Sequence, residues 1–409
     1  MTSSFGGNSP ASHPTEGTRA GAAILALAVG GFGIGTGEFA IMGLLPEVAQ
    51  DLRVSIPEAG HVISAYALGV VVGAPVLAVL GARMRRRALL MALMAFFALG
   101  NFASALAPGY LSLNLLRFVT GLPHGTYFGV AALVAAGLAP PGRRAAAVGQ
   151  IMMGLTVAVV VGVPLSAWMG EVLGWRAAFA LVGAIGLLTV WLVRRHVPDE
   201  PASAQSSPWR ELGALRRPQV WLTLGVGAIG FGGLFSVFSY IKPTMAEVAH
   251  LPPEWLPFVL ALFGLGMVAG NWLGPKFVDR HLMATIAAIL SWGCAVLVLF
   301  ALTVQVLPLA VAGTFLVGTL GALGPALQVR LMDVAGDAQT LAAALNHSAF
   351  NAANALGAWL GGMAVVWGWG WAATGWVGAA LALGGLAVFG ASVWLDGCTR
   401  PVAEASALG

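Results

Sequence analysis

Residues 20–45 read AGAAILALAVGGFGIGTGEFAIMGLL: twenty-six residues, no break, and one ionisable side chain, Glu38. A stretch of about 20 apolar residues is what a helix needs to cross a hydrocarbon core. Working outward, the pattern repeats. Pro, Gly and charge clusters bound apolar runs at about 20–45, 58–82, 88–107, 110–137, 145–170, 176–194, 219–242, 254–275, 282–303, 307–330, 340–365 and 370–394. The long unbroken runs predict an all-α polytopic membrane protein with twelve transmembrane helices. A membrane barrel would show alternating segments of about ten residues instead.

Composition agrees. The 409 residues are 58% hydrophobic and 9% charged, with mean hydropathy +0.87, against about 25% charged in soluble domains. Cys294 and Cys398 lie far apart and suggest neither a disulfide framework nor a metal site. No phosphate-binding glycine loop, no HExxH motif and no paired-cysteine spacing occurs, so ATP coupling, enzyme activity, metals and other cofactors are not expected. The net charge of +4 is spread over loops, which argues against nucleic acid as a partner. Residues 1–19 lack the charged start and cleavage site of a secretory signal.

Lysine and arginine fix the expected orientation. With a cytoplasmic N-terminus, 16 of the 20 basic residues fall inside and three outside, and Arg117 is intramembrane. The resulting organisation is a tail at 1–19, six helices in 20–194, a hydrophilic linker at 195–218, six helices in 219–394 and a tail at 395–409. The halves echo each other. Glu47-Val48-Ala49 recurs at 247–249, Gly69 and Gly73 at Gly266 and Gly270, Arg83 at Arg280, and Gly174-Trp175 at Gly370-Trp371. The offsets of 196 to 200 residues suggest two parallel, pseudo-symmetric six-helix bundles around a central site.

Charge inside a span costs roughly a few kcal/mol or more, so Glu38 and Arg117 stand out. Glu38 follows five glycines between 30 and 37. It reads as a proton-carrying group, or as an interhelical hydrogen-bonding partner. Arg117 stays charged and reads as electrostatic control of a proton or substrate site, or as a fixed structural clamp. His124 follows Pro123 and suits titration or capping of a carbonyl freed by the proline. Gly154, Gly162 and Pro164 in the fifth span read as helix packing or as a seal between halves. In the eleventh span Asn351 and Asn354 share a face with His347, while Asn346 shares it partly. These suit a polar substrate or interhelical bonds. Phe231, Phe235 and Phe238, with Tyr240, read as a cavity wall or as packing, and Tyr127 joins the candidate substrate residues.

Four stretches carry a family resemblance: EFAIMGLLPEVA (38–49), RFVTGLPHGTYFG (117–129), GLTVAVVVGVPLSAWMG with GWRAAF (154–179) and ALNHSAFNAANALGAWLGG (344–362). Over essentially its whole length the chain resembles the major facilitator superfamily, within it the twelve-span drug:proton antiporters of the arabinose-type and chloramphenicol-type bacterial efflux permeases. The resemblance implies proton-driven efflux of a small organic molecule, such as a drug or antibiotic, by alternating access across the bacterial inner membrane. It assigns proton coupling or substrate to Glu38, coupling to Arg117, and an interdomain seal to Gly154, Gly162 and Pro164. The implied partners are a small-molecule substrate, protons and the lipid bilayer, and a monomer is expected. The other readings are a narrow-specificity sugar or metabolite efflux permease, and a non-transporting membrane sensor. One departure matters. The loop after the second span usually reads GxxxDRxGRR, but here it is LGARMRRR, with Ala82 at the acid position. Arg83, Arg86 and Arg87 remain, and the later loop GPKFVDR keeps Asp279 and Arg280. The C-terminal half is therefore expected to carry more of the gating.

Overall fold

A computed structural model describes residues 16–199 and 207–407. The expected tail before residue 16, the linker core at 200–206 and residues 408–409 lie outside the described residues. Eleven helices among the described residues are long and apolar enough to cross a membrane. One of them, Leu256–Thr303, has 48 residues, roughly 72 Å at 1.5 Å per residue, more than twice the ~30 Å of a hydrocarbon core. Its backbone leaves helical geometry at His281, with φ −146° and ψ 74°. Divided there, it supplies two spans, and the chain crosses twelve times.

We number the spans α1 (Arg19–Met42), α2 (Glu58–Leu80), α3 (Arg86–Ala105), α4 (Tyr110–Leu138), α5 (Arg144–Leu173), α6 (Trp175–His196), α7 (Pro218–Phe238), α8 (256–280), α9 (282–303), α10 (Leu307–Val334), α11 (Gln339–Val366) and α12 (Ala373–Gly397). An even number of crossings returns the chain to the face where it started. We call this the terminal face and the other the distal face.

The duplication is built into the packing. A Cβ on Gly69 or Gly73 of α2 would overlap the carbonyl oxygens of Phe118 and Leu122 in α4. The same contacts recur 197 residues on, with Gly266 and Gly270 of α8 against Phe315 and Thr319 of α10. Glycine is required because backbone meets backbone there. The distal face repeats a second device. The Trp175 indole donates to Asp51 at 3.1 Å, and Trp371 to Glu247 at 2.6 Å. Both partners are 196 residues apart, so Asp51, not Glu47, is the counterpart of Glu247, and the Glu-Val-Ala echo is one turn out of register.

Tryptophan marks the outer surface. Of fourteen, only Trp175 is buried and Trp371 partly buried; the rest are exposed, as lipid-facing and interfacial tryptophan is.

The halves meet along α2, α4 and α11 and along α5, α8 and α10. Glycine again makes the seam tight. A Cβ on Gly129 would lie 2.6 Å from the Ala344 nitrogen, and one on Gly149 2.6 Å from Pro275. Near the terminal face Arg144 pairs with Asp333 at 3.1 Å. There Asp279, at the end of α8, also accepts from the backbone N–H of Ala145 (2.7 Å) and Ala146 (3.0 Å) of α5. Among the described residues, the polar links between halves lie at mid-membrane or at the terminal face. The halves are therefore tied to each other at the terminal face.

Candidate functional site

A cavity lies between the halves at mid-membrane. Among the described residues, Glu38 is its only carboxylate. Aromatic and methionine side chains supply much of the remaining wall, among them Phe231, Phe235, Phe238, Phe263, Met152 and Met267. A π-turn at Val226–Gly230 precedes Phe231. Such a turn re-aims the residues after it. Phe231 and Phe235 meet edge to face at 5.5 Å between centroids.

Glu38 is 14% exposed, and its Oε2 lies 4.0 Å from Nδ1 of His124. His124 is the hub of a polar chain. Its Nδ1 is 3.1 Å from the Tyr66 hydroxyl, and its Nε2 is 3.1 Å from Nδ1 of His347. Two histidines at this distance share one proton, so the tautomer of one ring dictates that of the other. The pair joins α4 of one half to α11 of the other. His347 also stacks on Phe128, with centroids 4.3 Å apart and planes at 18°. The Nε2 atom of His347 is buried without a protein partner.

Arg117 lies outside the cavity wall and is completely buried. Its Nη2 donates to the Gly37 carbonyl at 2.7 Å, and its guanidinium sits 4.3 Å from the Tyr66 ring centroid and 5.3 Å from that of Phe179. It makes no ion pair with Glu38; it holds the peptide immediately before it. Nε and Nη1 have no partner, so the charge is held by backbone and aromatic faces beside the one cavity carboxylate.

Residues 27–336 match the family model described as Major Facilitator Superfamily. The chain belongs to the major facilitator superfamily. The superfamily relatives include the inner membrane transport protein YdhP of Escherichia coli (strain K12), 40% identical over 366 residues, with 85% of this chain and 90% of that one covered. A chloramphenicol resistance protein of Streptomyces lividans is 33% identical over 340 residues, covering 81% and 86%, which agrees with the branch that the motifs resemble. The solved structure of the human organic anion transporter MFSD10 matches with a TM-score of 0.73 at 14% identity, covering 92% of this chain and 100% of that one; it shows the same superfamily fold.

Within that fold several expected site residues separate. Glu38, His124, Phe231, Phe235, His347, Asn351 and Asn354 line the cavity. Tyr127 does not: it is fully buried, and its hydroxyl donates to the Leu27 carbonyl at 2.9 Å, filling the space left by Gly30. Asn346 points into the C-terminal bundle, donating to Gln328 at 2.7 Å. Asn351 lines the cavity but spends an N–H on its own helix, at His347 O (2.9 Å).

The glycines of the fifth span are also placed differently from the seal reading. Gly154 packs on the α1 backbone at Ala28 and Phe32, and Gly162 on Thr36. Both contacts lie within one half, while Gly125, Gly129 and Gly149 face the other half. Pro164 is exposed, just past a π-turn at Ala158–Gly162. Arg83 and Arg280 are exposed at the terminal face, and Asp279 bridges the halves there. Sequence reasoning missed Tyr66, Phe128 and Phe263. A tyrosine hydroxyl in an apolar span needs a partner, and that was the available signal for Tyr66.

Proposed function

We propose that this transporter exports a small, largely apolar organic molecule in exchange for protons, with Glu38 as the proton carrier. One observation carries the reading: a single carboxylate in an aromatic, methionine-rich cavity, 4.0 Å from a histidine joined to the other half. Substrate and proton then compete for one site. An unprotonated Glu38 favours a cationic or hydrogen-bonding substrate; a protonated one favours its release. Arg117 fixes the Gly37 peptide and keeps a permanent positive charge near that carboxylate. His124 is the group through which the protonation state of Glu38 reaches His347.

The basic-residue bias supports a cytoplasmic terminal face, and on that reading the cavity is shut toward the cytoplasm. The name of YdhP supports a bacterial inner membrane, and the Streptomyces relative supports an antibiotic as substrate. Of the amides expected to meet a sugar, Asn346 is engaged in the bundle core and Asn351 gives one N–H to its own helix, which leaves Asn271 and Asn354 as the other cavity amides. The cavity is lined by residues of one chain, which supports a monomer.

The test is proton flux in proteoliposomes under an imposed pH gradient, with chloramphenicol, other antibiotics and sugars, comparing wild type with Glu38→Gln. Antibiotic-linked flux that disappears in the variant supports the reading. Equal gradient-driven transport in both removes Glu38 from coupling. Flux with sugars alone replaces the substrate class.

A further inference from the structure

The acid missing at position 82 leaves a gap in the symmetry. In the C-terminal half, Asp279 caps α5 of the other bundle at its second and third helical residues, Ala145 and Ala146. The helix supplies no cap of its own, since Arg143 at the N-cap makes no side-chain bond. The repeat, at offset 197, predicts that residue 82 caps α11 in the same way, and Ala82 has no acceptor. Yet Ala338 at the α11 N-cap supplies none either. First-turn N–H groups buried without a partner cost roughly 1–3 kcal/mol each.

The first turn of α11 is nonetheless capped. A short helix, Pro208–Glu211, in the linker packs against both α2 and α11. The carboxylate of Glu211, only 6% exposed, accepts from the Leu341 N–H at 2.8 Å and hydrogen-bonds with the backbone and side chain of Thr340. These are the second and third residues of α11, the same two positions that Asp279 serves on α5. The charge of Arg86, in the N-terminal half, also acts on this carboxylate. Behind it, Ala74 and Ala78 of α2, Ala214 of the linker and Leu341 of α11 form one apolar cluster.

We infer that Glu211 replaces the missing acid: the linker helix is a wedge that closes the terminal face by capping α11 while braced against α2. It is a positioning residue for the gate. Burial pushes its carboxyl above the ordinary carboxylate range, while the Leu341 and Thr340 hydrogen bonds and Arg86 pull it back. A carboxylate kept in place against that desolvation is tied to a specific set of partners. The inference rests on alternating access, part of the preceding reading, and on neither its substrate nor its proton.

The experiment is a distance measurement between spin labels on the full chain in lipid nanodiscs. Labels go on exposed Met84 (loop α2–α3) and exposed Asp337 (loop α10–α11), each replaced by Cys in a background with Cys294 and Cys398 changed to Ser. Glu211→Ala should raise the ratio of wide to narrow distances about tenfold, the equivalent of losing one charge-assisted hydrogen bond. Glu211→Gln, which keeps an acceptor and the volume, should give a smaller shift in the same direction and guards against misfolding of the alanine variant. Adding Ala82→Asp to either variant should return the distribution toward wild type. An unchanged distribution in Glu211→Ala and Glu211→Gln overturns the inference, because the linker then rides with one half. So does a shift that Ala82→Asp fails to reverse. No substrate or gradient is involved, so failure here leaves the transport reading untouched, and the reverse holds.

Discussion

Arg117 shows how one charge is tolerated at membrane depth: a single backbone oxygen and two aromatic faces hold it. A lysine keeps the charge but lacks the planar fork that stacks and bonds at once. Arg117→Lys is therefore expected to insert and fold yet lose at least about tenfold in gradient-driven transport, read in the proteoliposome assay. His347→Phe preserves a ring against Phe128 and removes the proton shared with His124. It should retain substrate binding while proton-linked transport falls; equal loss of both would assign His347 to the substrate alone. At this scale the sequence spoke where a residue was anomalous. Glu38 and Arg117 are visible because hydrocarbon penalises them. Tyr66 looks like any aromatic in a span, and the His124–His347 pair is separated by 223 residues, with no local pattern to announce it.

At the scale of the element, glycine decides how near two helices approach. Gly69→Ala and Gly266→Ala each force a methyl into a facing carbonyl. Each should cost about 1–3 kcal/mol and lower the apparent Tm by similar amounts, since the contacts are equivalent. Unequal shifts would show that the bundles differ in stiffness. Span positions were legible because length and hydropathy dictate them. The facing of a glycine was not. Gly154 and Gly149 lie five residues apart on one helix, but the first meets α1 of its own half and the second Pro275 of the other. The choice depends on helix rotation, which an apolar run leaves open.

Across the whole molecule, the described polar links tie the halves to each other at the terminal face and run only within each half at the distal face. The Arg176 hydrogen bond, then that of Trp175, holds the Asp51 carboxyl below the ordinary carboxylate range. Its stabilisation is thus present above the unfolded-state value of about 3.9 and is lost as pH falls through the lower folded-state value. The Tm gap between wild type and Asp51→Asn should be constant near neutrality, close at the acid end, and shrink with added salt. A gap that instead widens toward acid pH contradicts this assignment. The twofold plan was legible in motifs recurring at a near-constant interval. Its repair by Glu211 was not, because the replacement comes from a segment outside the repeat.

The placement of tryptophan has a practical consequence for spectroscopy. With Trp175 alone buried and Trp371 half-buried, nearly all the intrinsic emission originates against acyl chains or headgroups. Brominated lipids should quench most of it, and the residual signal belongs largely to the two indoles bonded to Asp51 and Glu247. Reconstitution into such lipids converts an emission dominated by the bilayer into an optical probe of the distal face, with no label attached.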